Sequence, residues 1–266
     1  MRLGCCGSMI SPASDPIGVA IVEALAAMGF DYVELSLAGM MDLPETVFAE
    51  VARRVERSGI RCEACNNFFP VRVRLTGAEA RLSAAIEYAT AALDRAVRLG
   101  VRVIVFGSSG AKNVPAGFDP GAAWKQIVEL LGSLGPLAEA RGITIAIEPL
   151  NRRESNIVNL ASEGLRLVRA VNHPQVQILV DYYHLMLEGE NPAIVAEAGA
   201  ALRHLHLARV EGRTFPITAD DDCIRFFQFV RQIGYGGRCS IEAYTRDFAA
   251  DAPQALRVLR EVTQGL

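Results

Sequence analysis

The sequence predicts an α/β protein whose 266 residues form one (β/α)8 TIM barrel. Apolar runs rich in β-branched residues alternate with amphipathic helical segments along the whole chain. This alternation indicates a parallel sheet with helical crossovers, and eight such units in about 250 residues are typical of a TIM barrel. No linker, repeat or low-complexity segment interrupts the pattern, so we expect a single domain over residues 1–266.

The eight predicted strands are spaced regularly along the chain. They are residues 3–9, 32–37, 61–66, 101–107, 143–149, 176–182, 202–208 and 239–244. The clearest helices between them are residues 79–98 and 121–140, which carry apolar residues at helical spacing. Glycine stands just before several strands, where a helix usually ends in a left-handed residue. These glycines are Gly59, Gly100, Gly142 and Gly234.

The connection after the first strand argues against a doubly wound open sheet. Open sheets of that kind usually carry a glycine-rich phosphate loop at this point. The stretch GCCGSMISPASDP contains neither GxGxxG nor GxxxxGK[ST]. We therefore prefer a closed barrel.

Composition and charge exclude several classes of protein. Half of the chain is hydrophobic and the net charge is −3, with no polybasic run, so we expect a packed core and no nucleic-acid partner. The N-terminal stretch lacks the features of a signal peptide, and no apolar run is long enough to span a bilayer. We expect a cytoplasmic protein with no membrane partner. The sequence leaves open whether the chain forms a homo-oligomer.

Two of the six cysteines, Cys62 and Cys65, have CxxC spacing. They fall on a predicted strand, where positions three apart face opposite ways. A zinc knuckle would also need a second such pair, which the sequence lacks. We therefore expect buried structural thiols that bind no metal and form no disulfide.

The last four predicted strands each carry an ionisable residue near the carboxyl end. They are Glu148, Asp181, His206 and Glu242. Apolar neighbours on each strand indicate that these side chains point into the barrel, and the carboxyl ends of barrel strands converge on the active-site face. Three carboxylates with one imidazole suit Mn²⁺, Mg²⁺ or Co²⁺ better than structural Zn²⁺. We predict a divalent metal site.

His204 lies on the same strand face as His206, one layer lower in the barrel. One interpretation is that it supports the metal site through hydrogen bonds to the groups around the ligands. The alternative is a buried histidine paired with a neighbouring strand. The sequence leaves both open.

Several motifs resemble the xylose-isomerase-like TIM-barrel family of sugar isomerases and epimerases, and most of all its ketose 3-epimerase branch (D-tagatose and D-allulose 3-epimerases). IEPLNRRESNIVNLASEG resembles the family's strand-five motif, and VDYYHL resembles its D-x-x-H motif. HLHLARVEGR is similar to its H-x-H strand with a following arginine, and IEAY to its closing glutamate. The likeness covers nearly the whole chain and is sharpest from Ile147 onward.

The resemblance implies roles for the four converging residues. Glu148, Asp181, His206 and Glu242 would hold a divalent ion, commonly Mn²⁺. Glu148 and Glu242 would also act as the acid/base pair.

Further residues would bind the substrate or support the site. The resemblance places Glu154, His184 and Arg213 where the family binds sugar hydroxyls, and Asn151 where it would support the metal site. The spacing of ARVEGRTFP departs from the epimerase loop, so Arg209 competes with Arg213. In the loop NNFFP, Phe68 is expected either to stack on a sugar face or to anchor the loop.

The implied reaction is epimerisation or isomerisation of a sugar, preferably an unphosphorylated ketose. A carboxylate would remove the proton next to a carbonyl, and a metal-stabilised enediolate would form. A metal-dependent lyase that cleaves a 3-keto-glycoside by enolisation and β-elimination is the main alternative. A non-catalytic sugar-binding barrel and an endonuclease IV-like repair enzyme are further alternatives; scarce histidines and net negative charge argue against the latter.

Overall fold

Eight parallel strands close into a barrel in the order β1 to β8 in the computed structural model, which describes residues 1–264. Each strand pairs in parallel with the next, and β8 pairs with β1. The predicted TIM barrel is therefore confirmed. The strands are β1 (Arg2–Cys6), β2 (Tyr32–Ser36), β3 (Arg61–Asn66), β4 (Val103–Phe106), β5 (Thr144–Ile147), β6 (Val176–Asp181), β7 (Leu202–Leu207) and β8 (Arg238–Ile241).

Helices fill the connections and surround the barrel. They are α1 (Val22–Met28), α2 (Leu37–Met41), α3 (Glu45–Ser58), α4 (Leu82–Leu99), α5 (Ser109–Lys112), α6 (Pro120–Glu139), α7 (Ala161–Val171), α8 (Tyr182–Leu187), α9 (Ile194–Ala198), α10 (Asp221–Gln232) and α11 (Phe248–Val262). Short 3₁₀ turns lie at Gly7–Met9, Val19–Ile21, Gly199–Ala201 and Glu211–Arg213. Among the helices of residues 1–264, none has the length and apolar character that crossing a bilayer requires.

The four glycines predicted at helix ends all adopt positive φ. Gly59 and Gly100 are the residues that end α3 and α4, with φ of 77° and 81°. Gly142 and Gly234 lie beyond the last helical residue, in the turn that leads to the next strand. All four connections therefore use glycine where a side chain would strain the backbone.

Strand alternation separates two apolar layers. Ile145 and Ile147 belong to the large core between the strands and the helices. Ala146, between them, belongs to a small separate cluster with Tyr32 and Leu179 inside the barrel. The inner cluster fills the barrel below the polar carboxyl ends of the strands, which leaves those ends for the site.

A β-bulge at Glu63 corrects the expectation for the CxxC pair. In the β2–β3 register, Val33 pairs with Cys62 but the next residue, Glu34, pairs with Ala64, so Glu63 is extra. The bulge resets the alternation and turns both cysteines to the same face, with their sulfur atoms 4.0 Å apart. The prediction of opposite faces is therefore wrong; both thiols are buried and free.

We expect Gly4→Ala to destabilise the protein by about 1–3 kcal/mol, because overpacking a filled interior displaces its neighbours. A Cβ at Gly4 would lie 2.3 Å from the ring of Tyr32. That ring is anchored by a 2.7 Å hydrogen bond to Ser240, so it has little freedom to move.

The measurement is denaturant unfolding of both proteins. Gly132→Ala is the matched control: it lies on the exposed face of α6 with open space around it, and should be neutral or stabilising by up to about 1 kcal/mol. Equal stabilities for Gly4→Ala and the parent protein would contradict this packing account.

Candidate active site

The four predicted metal ligands meet at the carboxyl ends of neighbouring strands. Glu148 follows β5, Asp181 ends β6, His206 lies on β7 and Glu242 follows β8. Nδ1 of His206 lies 3.0 Å from Oε1 of Glu148 and 3.4 Å from Oε2 of Glu242. Asp181 stands beside His206 in the strand register. All four side chains are buried.

His184 joins this group from α8. One ligand atom each from Glu148, Asp181, His184 and Glu242 lies within 4.8 Å of the others. Oδ2 of Asp181 and Nε2 of His184 are 3.5 Å apart, and both are buried without a hydrogen-bond partner in residues 1–264. Buried polar atoms without partners are costly, so this pair indicates space for a cation or a polar ligand.

The surroundings of His184 determine which ring nitrogen carries its proton. Asn151 Nδ2 lies 2.7 Å from Nδ1 of His184 and also donates to Glu154, while Asn151 Oδ1 accepts from the backbone N–H of Arg153. These contacts orient the Asn151 amide, so Nδ1 of His184 accepts. Burial lowers the pKa of His184, and the neutral ring then carries its proton on Nε2. His184 is therefore better suited to donate to a substrate oxygen than to bind a metal.

Burial and the proximity of like charges determine the electrostatics of the site. Burial and the neighbouring Glu242 raise the pKa of Glu148. Burial raises the pKa of Asp181 to about 6, although Arg213 opposes the shift. Burial also works against ionisation of Glu242, but His206 and Arg213 outweigh it and hold that pKa at about 2. The site therefore has a strong tendency to take up positive charge.

Arg213 supplies part of that positive charge. Its guanidinium forms a close ion pair with Glu242 and lies 3.3 Å from Glu154 and 3.7 Å from Asp181. Arg209 contributes a backbone hydrogen bond to the same loop. Of the two candidate arginines, Arg213 is the one whose side chain the fold brings to the carboxylates.

Glu34 is a buried residue of the site that the sequence reasoning missed. It lies on β2, is fully buried, and contacts both His204 and His206. The sequence does contain a signal for Glu34. Its neighbours Val33 and Leu35 face the outer core, which places Glu34 inside the barrel. However, one glutamate on a strand is weak evidence of a site residue, and the histidines that it contacts are remote from it in sequence.

Lys112 is a second missed residue. It is fully buried on α5, and its Nζ donates to the backbone carbonyl of Glu148 at 3.2 Å. Burial lowers the pKa of Lys112 to about 8. Nothing in the pattern around Lys112 distinguishes it from an exposed lysine. Its contact with Glu148 forms because α5, in the connection after β4, lies against the carboxyl end of β5.

Phe68 lies in the loop after β3, fully buried against Phe69 at 4.3 Å between ring centroids. Its backbone carbonyl accepts a hydrogen bond from Tyr88. These contacts fit a residue that anchors the loop. A role in binding a sugar stays a prediction.

Known proteins share this architecture. The sequence profile of the family described as "Xylose isomerase-like TIM barrel" matches residues 22–262. The D-psicose 3-epimerase of Ruminiclostridium cellulolyticum is 24% identical over 257 residues, covering 92% of this chain and 84% of that protein.

Solved structures have the same fold. A D-psicose 3-epimerase crystallised in the presence of D-fructose superposes with a TM-score of 0.86 and 21% identity, over 100% of both chains. The 3-keto-D-glucoside 4-epimerase of E. coli superposes with a TM-score of 0.79 and 20% identity, over 98% of both chains.

We expect Asp181→Asn to raise the melting temperature of the metal-free protein by a few degrees at pH 8. Because the pKa of Asp181 is raised in the folded state, its ionisation destabilises the fold, and this cost accumulates as the pH rises from the ordinary aspartate pKa of about 4 to about 6. Asparagine removes the charge but can still accept from the backbone N–H of Tyr183.

The gain should shrink at pH 5, where Asp181 itself is largely protonated. Differential scanning fluorimetry across pH, with chelator present, measures it. Asp119→Asn is the control, because Asp119 caps α6 in the same way but far from the site. A gain that does not depend on pH would be evidence against this interpretation.

Proposed function

The chain belongs to the xylose isomerase-like TIM barrel family, and we propose that it is a divalent-metal-dependent epimerase of an unphosphorylated ketose. The curated relatives are named epimerases, which confirms the expectation of an enzyme of the isomerase class. One observation carries the proposal. The carboxylates of Glu148 and Glu242 both reach Nδ1 of His206, so two proton-transfer groups border the same small space.

We assign the metal to Glu148, Asp181, His206 and Glu242. The oxygen-rich donor set fits Mn²⁺ best, with Mg²⁺ or Co²⁺ as alternatives. The unpartnered Oδ2 of Asp181 and the raised pKa of Glu148 are both expected of carboxylates arranged to bind a cation. A bound ion would act as a Lewis acid that polarises the substrate carbonyl and stabilises the negative charge formed on its oxygen.

Glu148 and Glu242 would move the proton. Epimerisation inverts one carbon next to a carbonyl, so one group removes its proton and a second returns a proton to the opposite face. Two carboxylates on separate strands can border a substrate from two sides, which a single base cannot. In the reverse reaction the two glutamates exchange roles.

Three polar side chains would orient the sugar. His184 presents Nε2–H to the site, and Arg213 presents a guanidinium held by Glu154 and Glu242. Glu154 is partly exposed at the rim and can accept from a hydroxyl. Together they offer two donors and one acceptor, which suits a polyol chain.

A second candidate is an oxidised glycoside. The structural neighbour named 3-keto-D-glucoside 4-epimerase favours this substrate class. On a 3-keto-glycoside the same proton removal next to the ketone would allow either epimerisation or lysis. In lysis the β carbon–oxygen bond breaks and the aglycone leaves with the electron pair.

We also propose a cytoplasmic location with a small-molecule sugar as the partner. All six cysteines are free in the structure, which suits a reducing compartment. A reducing compartment would keep the neighbouring Cys62 and Cys65 as thiols.

The decisive experiment is incubation of the Mn²⁺-loaded protein in D₂O with a panel of ketoses and 3-keto-glycosides. Deuterium at carbon three of a ketose would support epimerisation, whereas deuterium at carbon one or two would indicate aldose–ketose isomerisation. Release of an aglycone would indicate lysis. The absence of deuterium in every sugar, with metal bound, would refute the proposal.

We expect Glu148→Gln to lose about 10²–10⁴-fold in turnover, because a positioned acid/base group is removed. Glutamine keeps an oxygen donor of similar shape, so saturating Mn²⁺ should restore metal occupancy at least in part. Turnover should not recover with it.

Steady-state kinetics over a range of Mn²⁺ concentrations measure this. Glu129→Gln, the same substitution on the exposed face of α6, should change the rate little, as surface substitutions usually do. If Glu148→Gln regains the full rate at saturating metal, Glu148 is a ligand without a part in proton transfer.

A further inference from the structure

A fully buried carboxylate, Glu34, lies directly beneath the proposed metal site. It points into the barrel from β2 and reaches both His204 and His206. Its hydrogen-bond partners in residues 1–264 are the two imidazoles and the hydroxyl of Ser240. Burying an ionised carboxylate on such partners is costly, so its presence here needs a reason.

Each oxygen of Glu34 has a defined partner. Oε1 lies 3.0 Å from Nε2 of His206. Oε2 lies 2.8 Å from Nε2 of His204 and accepts a 2.6 Å hydrogen bond from Ser240. Tyr32 lies 2.7 Å from the same Ser240 hydroxyl, and this contact ties the group to the inner apolar layer.

These contacts decide which ring proton His206 would keep when a divalent ion binds. Because Nε2 of His206 faces the acceptor Oε1 of Glu34, Nε2 carries the proton. Nδ1 faces the carboxylates of Glu148 and Glu242, so the proton that it shares with them is the one a divalent ion would displace, while the Nε2 proton stays on Glu34. In metalloproteins a carboxylate on the far nitrogen of a histidine ligand fixes the ring and raises its basicity.

We propose that Glu34 is a positioning residue that holds His206 in the tautomer and orientation needed to bind the divalent ion. This rests on the metal role proposed above for His206. Glu34 itself touches neither the metal nor the substrate. His204 and Ser240 would serve the same purpose one step further away, since both bind Oε2 and so hold the carboxylate in place.

His204 supports this assignment. Nε2 of His204 contacts Glu34, and Ser240 lies 3.4 Å from the same nitrogen. Nδ1 of His204 is buried without a hydrogen-bond partner in the described chain. The polar contacts of this ring are thus all directed at the Glu34 group, as expected of a residue that anchors Glu34.

The test is titration calorimetry of the metal-free protein with Mn²⁺. Glu34→Gln keeps the shape but replaces one acceptor oxygen with a donor and removes the charge. We expect its Mn²⁺ affinity to fall by about 10–100-fold, the usual cost of losing such a partner. Glu63→Gln is the matched control: Glu63 is also buried, but pairs with Arg2 and Arg238 at the opposite end of the barrel.

Glu34→Asp provides a second variant in case the amide disturbs folding. It keeps the charge but withdraws the carboxylate from His206 by one methylene, so it should also bind Mn²⁺ more weakly than the parent protein. In the Co²⁺-loaded parent protein, the paramagnetically shifted N–H proton of His206 should exchange slowly with water. In both Glu34 variants that proton should exchange fast or vanish.

The outcomes separate the two proposals. If the parent protein and both Glu34 variants bind Mn²⁺ equally well, the positioning role is overturned while the metal site stands. The positioning role is equally overturned if Glu63→Gln weakens binding as much as Glu34→Gln. If the parent protein binds no divalent ion, the proposed function fails, and this inference fails with it.

Discussion

The repulsion between three buried carboxylates is the constraint on which the site depends. Glu148, Asp181 and Glu242 lie on different strands, yet the closed barrel brings them within a few ångströms of each other in a space shielded from water. Such a cluster is stable only with positive charge nearby or with protons retained. Burial and repulsion raise the pKa of Glu148, whereas His206 and Arg213 lower that of Glu242. The arrangement of buried carboxylates therefore favours the binding of a cation.

The apolar packing that stabilises the barrel lies in different layers from the buried charges of the site, whose desolvation costs free energy. Apolar residues on one strand face pack against the helices, and Tyr32, Ala146 and Leu179 fill the lower interior. The charged groups of the candidate site lie only in the layers above. Glu34 and Ser240 form the boundary, linked to the apolar layer through Tyr32. A large hydrophobic core thus offsets the desolvation of a small polar region.

The alternation of side chains along each strand explains how much of the site the sequence could predict. A polar residue at the end of each apolar strand was enough to place Glu148, Asp181, His206 and Glu242 together, because every barrel strand ends at the same face. Glu34 obeys the same parity but stands alone, so its role emerges only when the histidines come close. The bulge at Glu63 adds one residue to a strand of ordinary composition, and this is why the faces of Cys62 and Cys65 were predicted wrongly.

Arg213 shows how the same charges would govern binding. Its guanidinium pairs with Glu242 and approaches Asp181, two of the groups assigned to the metal. A divalent ion and the guanidinium would therefore compete for the same carboxylate charge. Glu154 offers Arg213 a partner nearer the rim, so a small movement of the side chain could release Glu242 without leaving the guanidinium unpaired. Arg213 is therefore ion-paired at two depths of the site, to Glu242 beside the other carboxylates and to Glu154 nearer the rim.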